Sequence, residues 1–208
     1  MEIKQIPLGP LGTNCYLVHN SEQVIIIDPG GDGKRLMNWL AENNLKPIAI
    51  LLTHAHFDHI GAVELLRTHY NIKVYMHKEE ATWLEDPSLN RSLAFIGEEI
   101  ITSAPDVLLG PGNFSIGPFE FDVLYTPGHS PGSISYLMQA EKAIFSGDVL
   151  FNRGIGRTDL PGGDFATLQD TIWNTLYKLA NEITVYPGHG PTTTIGEEKR
   201  YNPFIPQK

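Results

Sequence analysis

Apolar residues along this chain come in short runs, and the period of those runs changes from one segment to the next. Residues 2–7 and 14–19 alternate or run apolar, and residues 23–28 carry Val24, Ile25, Ile26 and Ile27 without a break, as a buried strand does. Pro29-Gly30-Gly31 ends that strand. Leu36, Trp39 and Leu40 then fall on one helical face, which predicts a helix near residues 33–43 with Asp32 as its N-cap. Residues 47–52 read as a second buried strand, 60–69 as a helix carrying Val63, Leu65 and Leu66, 72–77 as a strand and 79–84 as a short helix.

From Pro105 to Ser146 the pattern turns to hairpins, with strands at 113–116, 119–126, 133–139 and 142–146 divided by Gly and Pro turns. A helix over 165–180 and a strand at 183–186 return to the first pattern. Residues 86–103 are the least regular stretch and fit either a helix or a lid. Strand–helix alternation predicts an α/β fold, with two β-rich layers packed together and helices outside, as one domain.

Composition narrows the class. The 208 residues, 41% of them hydrophobic, suffice for one sizeable core, and 19% charged residues argue against disorder. A net charge of −9 disfavours nucleic-acid binding by phosphate neutralisation. Cys15 is the only cysteine, so no intramolecular disulfide or thiolate zinc knuckle is available, and in its strand it reads as a small packed hydrophobe. The first residues show no basic region followed by an apolar stretch, and no run is long enough to span a membrane, so a cytoplasmic location is expected.

The chemistry concentrates in Thr53-His54-Ala55-His56-Phe57-Asp58-His59, directly after the apolar run 48–52. Three imidazoles and a carboxylate in six positions suit a metal site, because histidine is the commonest metal ligand and is neutral at working pH. His129, Asp148 and His189 each stand at the end of a later apolar strand, within Pro127-Gly128-His129, Ser146-Gly147-Asp148 and Pro187-Gly188-His189. Loops at strand ends carry functional residues on a rigid scaffold. His54 and His56, two apart, point the same way in an extended turn. Asp28-Pro29-Gly30-Gly31-Asp32-Gly33 lacks the glycine spacing of a nucleotide loop. His19, His69 and His77 fall at element ends, as surface or capping residues do, and Tyr201 and Phe204 read as packing the C-terminal segment onto the core.

Taken together, H-x-H-x-D-H followed by distant His, Asp and His resembles the metallo-β-lactamase fold superfamily, over nearly the whole chain. The resemblance implies a four-layer αβ/βα sandwich with the metal site at one edge. It implies His54, His56 and His129 around one divalent ion, Asp58, His59 and His189 around a second, Asp148 bridging both, and Asp28 as hydrogen-bond partner of a ligand histidine. Zinc is the expected metal, and iron or manganese also accepts such donors.

The stretch Gly154-Ile155-Gly156-Arg157-Thr158-Asp159 resembles both the glyoxalase II-like group and persulfide dioxygenases, and its continuation Leu160-Pro161-Gly162-Gly163-Asp164, with residues 193–197 and 202–204, is similar to short bacterial glyoxalase II-like hydrolases. That likeness implies one domain over residues 1–208 without the C-terminal helical domain of the longer enzymes. It further implies a binuclear thioester hydrolase acting on a small molecule such as S-lactoylglutathione by attack of a metal-bridging hydroxide, with Arg157 presented to substrate. A thiol leaves without strong acid assistance, its pKa being about 8.5, which suits thioesters better than amides. The alternative is a persulfide dioxygenase with one ferrous ion on His54, His129 and Asp148. Nuclease chemistry is disfavoured by the charge and the lack of a basic or aromatic patch. Oligomeric state carries no specific signal.

Overall fold

The run Val24, Ile25, Ile26 and Ile27 forms a strand whose four side chains are all fully buried, as parallel strands covered on both faces require. It belongs to the first of two compact units into which the computed structural model divides; residues 1–206 are described.

The first unit spans Met1–Leu109 with Ile116–Phe119. Its elements are β1 (Glu2–Leu8), β2 (Thr13–His19), β3 (Gln23–Ile27), α1 (Gly33–Glu42), β4 (Lys46–Leu51), α2 (Phe57–Ile60), α3 (Val63–Tyr70), β5 (Lys73–His77), a 3-10 helix (Lys78–Glu85), α4 (Ser92–Ile96) and β6 (Val107–Leu109). The six strands form one sheet in sequence order. The first three pair antiparallel and β3 through β6 pair parallel. Val24 and Ile26, Ile50 and Leu52, and Val74 and Met76 share a core with Leu36 and Leu40 of α1 and Val63 and Leu66 of α3. Each such side chain contributes about 1.5–3 kcal/mol by leaving water.

The second unit spans Gly110–Ser115 and, among the described residues, 120–206. A second six-stranded sheet has the order β14-β13-β10-β9-β8-β7, comprising β7 (Gly112–Ile116), β8 (Phe119–Tyr125), β9 (Ile134–Met138), β10 (Ala143–Gly147), β13 (Thr184–Pro187) and β14 (Thr193–Thr194). Strands β10 and β13 run parallel, while β8–β9, β9–β10 and β13–β14 pair antiparallel. A two-stranded ribbon, β11 (Leu150–Phe151) and β12 (Gly154–Ile155), follows β10. Leu168 and Ile172 of α5 (Phe165–Asn174) and Ile195 of α6 (Ile195–Tyr201) share a core with Ile144 and Val185. The expected α/β class is therefore present, with mixed sheets flanked by helices.

Several local expectations are corrected. The helix expected over 165–180 stops at Asn174, and a 3-10 turn, Leu176–Lys178, continues it. The break buries Leu176 and Tyr177 and lets the Tyr177 hydroxyl share its one hydrogen between the carbonyls of Glu198 and Ile205, at 3.0 and 2.9 Å. Asp32 precedes α1 but does not cap it: its φ of 49° is left-handed, whereas a capping residue is extended, and its Oδ2 accepts from Gly9 N–H at 3.0 Å. The helix expected from residue 60 begins earlier, at Phe57, and is interrupted by Gly61 and Ala62 before α3. Tyr201 and Phe204 are exposed; Ile205 fills the core instead, while Tyr201 lies beneath the Arg153 guanidinium at 4.7 Å. His77 does cap the 3-10 helix by accepting Glu79 N–H at 3.4 Å, but it is buried. Among the described residues, no helix is long and apolar enough to cross a membrane.

Candidate metal centre

In the first unit, parallel pairing sets the carboxyl ends of β3 and β4 side by side, where α/β sheets bind ligands. Asp28 follows β3 and the segment 53–59 follows β4, and Asp28 N–H donates to Leu51 O at 3.1 Å. The Asp28 carboxylate organises that histidine-bearing segment. Oδ1 accepts Thr53 N–H at 2.8 Å, and Oδ2 accepts the Thr53 hydroxyl at 2.6 Å and His59 Nδ1 at 3.0 Å.

These bonds assign tautomers. A carboxylate only accepts, so His59 Nδ1 carries a proton and the lone pair lies on Nε2. The Thr53 hydroxyl spends its hydrogen on Asp28, so at 3.0 Å it accepts from His54 Nδ1, and the His54 lone pair also lies on Nε2. Nδ1 bonds of this kind are how proteins orient metal-binding imidazoles. His59 and Asp58 sit on α2, for which His56 is the N-cap residue. His59 Nε2 stands 3.6 Å from Asp58 Oδ2, and that oxygen accepts the buried Thr13 hydroxyl at 2.6 Å. Gly30 permits the approach of the preceding loop, since a Cβ there would lie 1.7 Å from the Asp58 carbonyl oxygen.

The second unit presents a matching set. His129 follows β8, in a loop held by Thr171 Oγ1 donating to Pro127 O at 2.8 Å and Asp164 N–H to Gly128 O at 2.8 Å. His129 Nδ1 donates to the Arg157 carbonyl at 2.8 Å, which again leaves the lone pair on Nε2. Parallel pairing of β10 and β13, with Gly188 N–H donating to Gly147 O at 2.8 Å, sets Asp148 and His189 next to each other. Asp148 Oδ2 lies 3.7 Å from His129 Nε2 and 3.4 Å from His189 Nε2.

The donor set fits divalent cations. Separations of 3.4–3.7 Å are long for hydrogen bonds but match two donors on one tetrahedral ion, which stand about 3.4 Å apart when each bond is about 2.1 Å. His54, His56, Asp58 and His59 in the first unit and His129, Asp148 and His189 in the second all offer atoms suited to holding a metal. All but Asp148 and His189 are buried.

Arg157, expected to face substrate, contributes its carbonyl to His129, while its exposed guanidinium grips Asp159 with two contacts of 2.7 Å. That grip holds the Asp159 carboxyl at about 2, well below the usual range. Burial, with the charge of Asp28 second, pushes the Cys15 thiol well up and leaves it an inert core group. The sequence assigns no role to Thr13, Thr53, Glu80 or Asn90. Only Thr53, inside the histidine run, carries a local signal.

The sequence matches the family model of the metallo-beta-lactamase superfamily over residues 8–189. It is 46% identical to a probable metallo-hydrolase, YqgX, of Bacillus subtilis over 99% of this chain and 98% of that one. It is 38% identical to the hydroxyacylglutathione hydrolase GloC of Haemophilus influenzae over the full length of both. Among solved structures, BLEG-1, a B3 metallo-beta-lactamase, superposes with a TM-score of 0.96 at 52% identity, covering 98% of this chain and 99% of that one. TTHA1623 in a di-iron-bound form superposes with a TM-score of 0.88 at 40% identity, covering 97% and 100%. The expected αβ/βα fold is thereby borne out, and its histidine–aspartate cluster suits divalent metal. This chain belongs to the metallo-β-lactamase superfamily, whose metal-dependent hydrolases it matches in sequence and fold.

Proposed function

We propose that this chain hydrolyses thioesters of the hydroxyacylglutathione type at a centre of two divalent cations. His54, His56 and His129 would hold one and Asp58, His59 and His189 the other, with Asp148 serving both. The observation that carries this reading is the Asp148 carboxylate, one oxygen of which faces His129 at 3.7 Å and His189 at 3.4 Å. The Haemophilus influenzae relative named a hydroxyacylglutathione hydrolase supports the choice of substrate. Zinc is the metal we infer; the di-iron form of TTHA1623 makes iron the first alternative.

When bound, such cations supply a water-derived nucleophile near neutral pH and polarise a carbonyl oxygen. The chain's own residues keep the donors ready. Asp28 and Thr53 orient His54 and His59 through Nδ1, leaving Nε2 as the donor atom, the Arg157 carbonyl does the same for His129, and Thr13 steadies Asp58. A departing thiolate, with a pKa of about 8.5, needs no proton from the protein, so Asp58 and Asp148 are free to serve as ligands rather than general acids. Arg157 offers an exposed cation to a substrate carboxylate, at the expense of its hold on Asp159.

A second reading, β-lactam hydrolysis, is favoured by the 52% identity to a protein named as a B3 metallo-beta-lactamase. Elemental analysis of the purified protein, run beside hydrolysis of S-lactoylglutathione and of a chromogenic cephalosporin, separates the two. We expect two metals per chain and thioester turnover that His56→Ala abolishes together with metal at its site. Cephalosporin turnover alone would transfer the assignment to the second reading. One iron per chain, with persulfide-dependent oxygen uptake and no hydrolysis, would overturn both.

A further inference from the structure

Glu80 is a carboxylate without solvent exposure on the 3-10 helix Lys78–Glu85, distant in sequence from every residue of the proposed centre. Its Oε2 accepts the main-chain N–H of Ala55 at 2.7 Å. Ala55 separates His54 from His56, whose rings stand 4.8 Å apart at 87° to each other. Two residues on, Phe57 N–H donates to the carbonyl of the buried Asn90 at 2.9 Å. The main-chain N–H groups on either side of His56 are thus both engaged by the segment after β5. The same 3-10 helix sets Trp83 beside the His56 ring, with centroids 6.1 Å apart.

Burying a carboxylate is costly unless it is well bonded. A main-chain carbonyl serves at Phe57, so anchoring a loop does not of itself demand an acid. What the Glu80 side chain adds is a short bond to the His54–Ala55 peptide, the first of the two between the histidines. That peptide's orientation sets the direction in which each imidazole leaves the chain.

We propose that Glu80 is a positioning residue for the metal centre, fixing the His54–Ala55 peptide so that both imidazoles present Nε2 to the same cation. The proposal rests on the reading of His54 and His56 as metal ligands. It acts through a hydrogen bond to the main chain, so an amide oxygen can replace the carboxylate oxygen, whereas a shorter acid cannot reach.

The test compares Glu80→Gln, Glu80→Asp and Glu80→Ala with the native protein by cobalt(II) uptake against a competing chelator. The visible absorption of the bound cobalt reports the geometry of its ligands. Glu80→Gln is expected to bind within about threefold of native with an unchanged spectrum, and the other two about 10–100-fold more weakly with a shifted spectrum. Native-like affinity and spectrum in Glu80→Asp and Glu80→Ala would overturn the proposal, as would a loss in Glu80→Gln equal to that in Glu80→Ala. Should Glu80→Ala not fold, the Gln and Asp forms carry the comparison. Urea unfolding of the chelator-treated proteins separates positioning from mere stability: equal midpoints with unequal cobalt affinity support the proposal, and affinity that simply tracks the midpoint overturns it. A native protein that takes up no cobalt overturns the metal reading itself, an outcome distinct from unchanged binding in the variants.

Discussion

Asp28 Oδ2 accepts His59 Nδ1 at 3.0 Å, and the same oxygen accepts the Thr53 hydroxyl at 2.6 Å. One carboxylate, held at φ 50° at the end of β3, therefore determines which nitrogen of two histidines is left to bind a cation.

Replacing Asp28 by Asn tests this. Asn tolerates left-handed backbone, so the main chain is spared, but it offers one oxygen where three donors now find two. Metal affinity is expected to fall about 10–100-fold in chelator competition. Unchanged affinity would remove Asp28 from the centre.

Gly156 packs where no side chain fits. A Cβ there would lie 1.7 Å from the Asp148 carbonyl oxygen and 3.1 Å from His129 Nδ1. Gly156→Ala should lose about 1–3 kcal/mol in urea unfolding and depress turnover as well, because the strain falls on two residues of the proposed centre. Gly110→Ala, where nothing lies within 4 Å, is the matching control and should be close to neutral.

The exposed Arg157–Asp159 pair contributes little to stability, as exposed pairs do. If the guanidinium serves substrate, Arg157→Ala raises KM several-fold while kcat and unfolding midpoint stay near native. Steady-state kinetics with S-lactoylglutathione decides this, and a loss confined to kcat would point instead to displacement of His129 through the residue 157 carbonyl.

His77 gives the fold a dependence on acidity. Burial, the main cause, pulls its pKa below the ordinary value, with Glu79 opposing and Lys78 assisting. The unfolded chain binds a proton near about pH 6.5 and the folded chain only at lower pH, so the contribution is complete above about 6.5 and declines as pH falls through the folded value. Protonation also removes the Nδ1 lone pair that caps Glu79 N–H. His77→Asn keeps a capping oxygen and does not titrate. Unfolding midpoints of the chelator-treated protein should fall less steeply from pH 7 to 5 in the variant; parallel curves would contradict the assignment.

The order of strands and helices was legible because it depends on local period. The isoleucine run of β3 and the glycine–proline stops after each apolar stretch mark element ends whatever the tertiary context. Features that answer to distant partners were not legible. The stop of α5 at Asn174 depends on Tyr177 reaching Glu198 and Ile205, and the choice of Ile205 over Phe204 as the core residue depends on the shape of the second core.

The same division holds at the centre. Sequence alone nominated His54, His56, Asp58, His59, His129, Asp148 and His189, because donors of one chemistry recur directly after apolar strands. Of the residues that hold them, Asp28 alone was expected, through the family resemblance, and tertiary structure decided the rest: Thr53 between Asp28 and His54, Thr13 on Asp58, Glu80 on the peptide between the first two histidines, and the Arg157 carbonyl on His129. A ligand is recognisable from its own side chain, whereas a residue that orients a ligand can be any donor or acceptor the fold brings within about 3 Å of it.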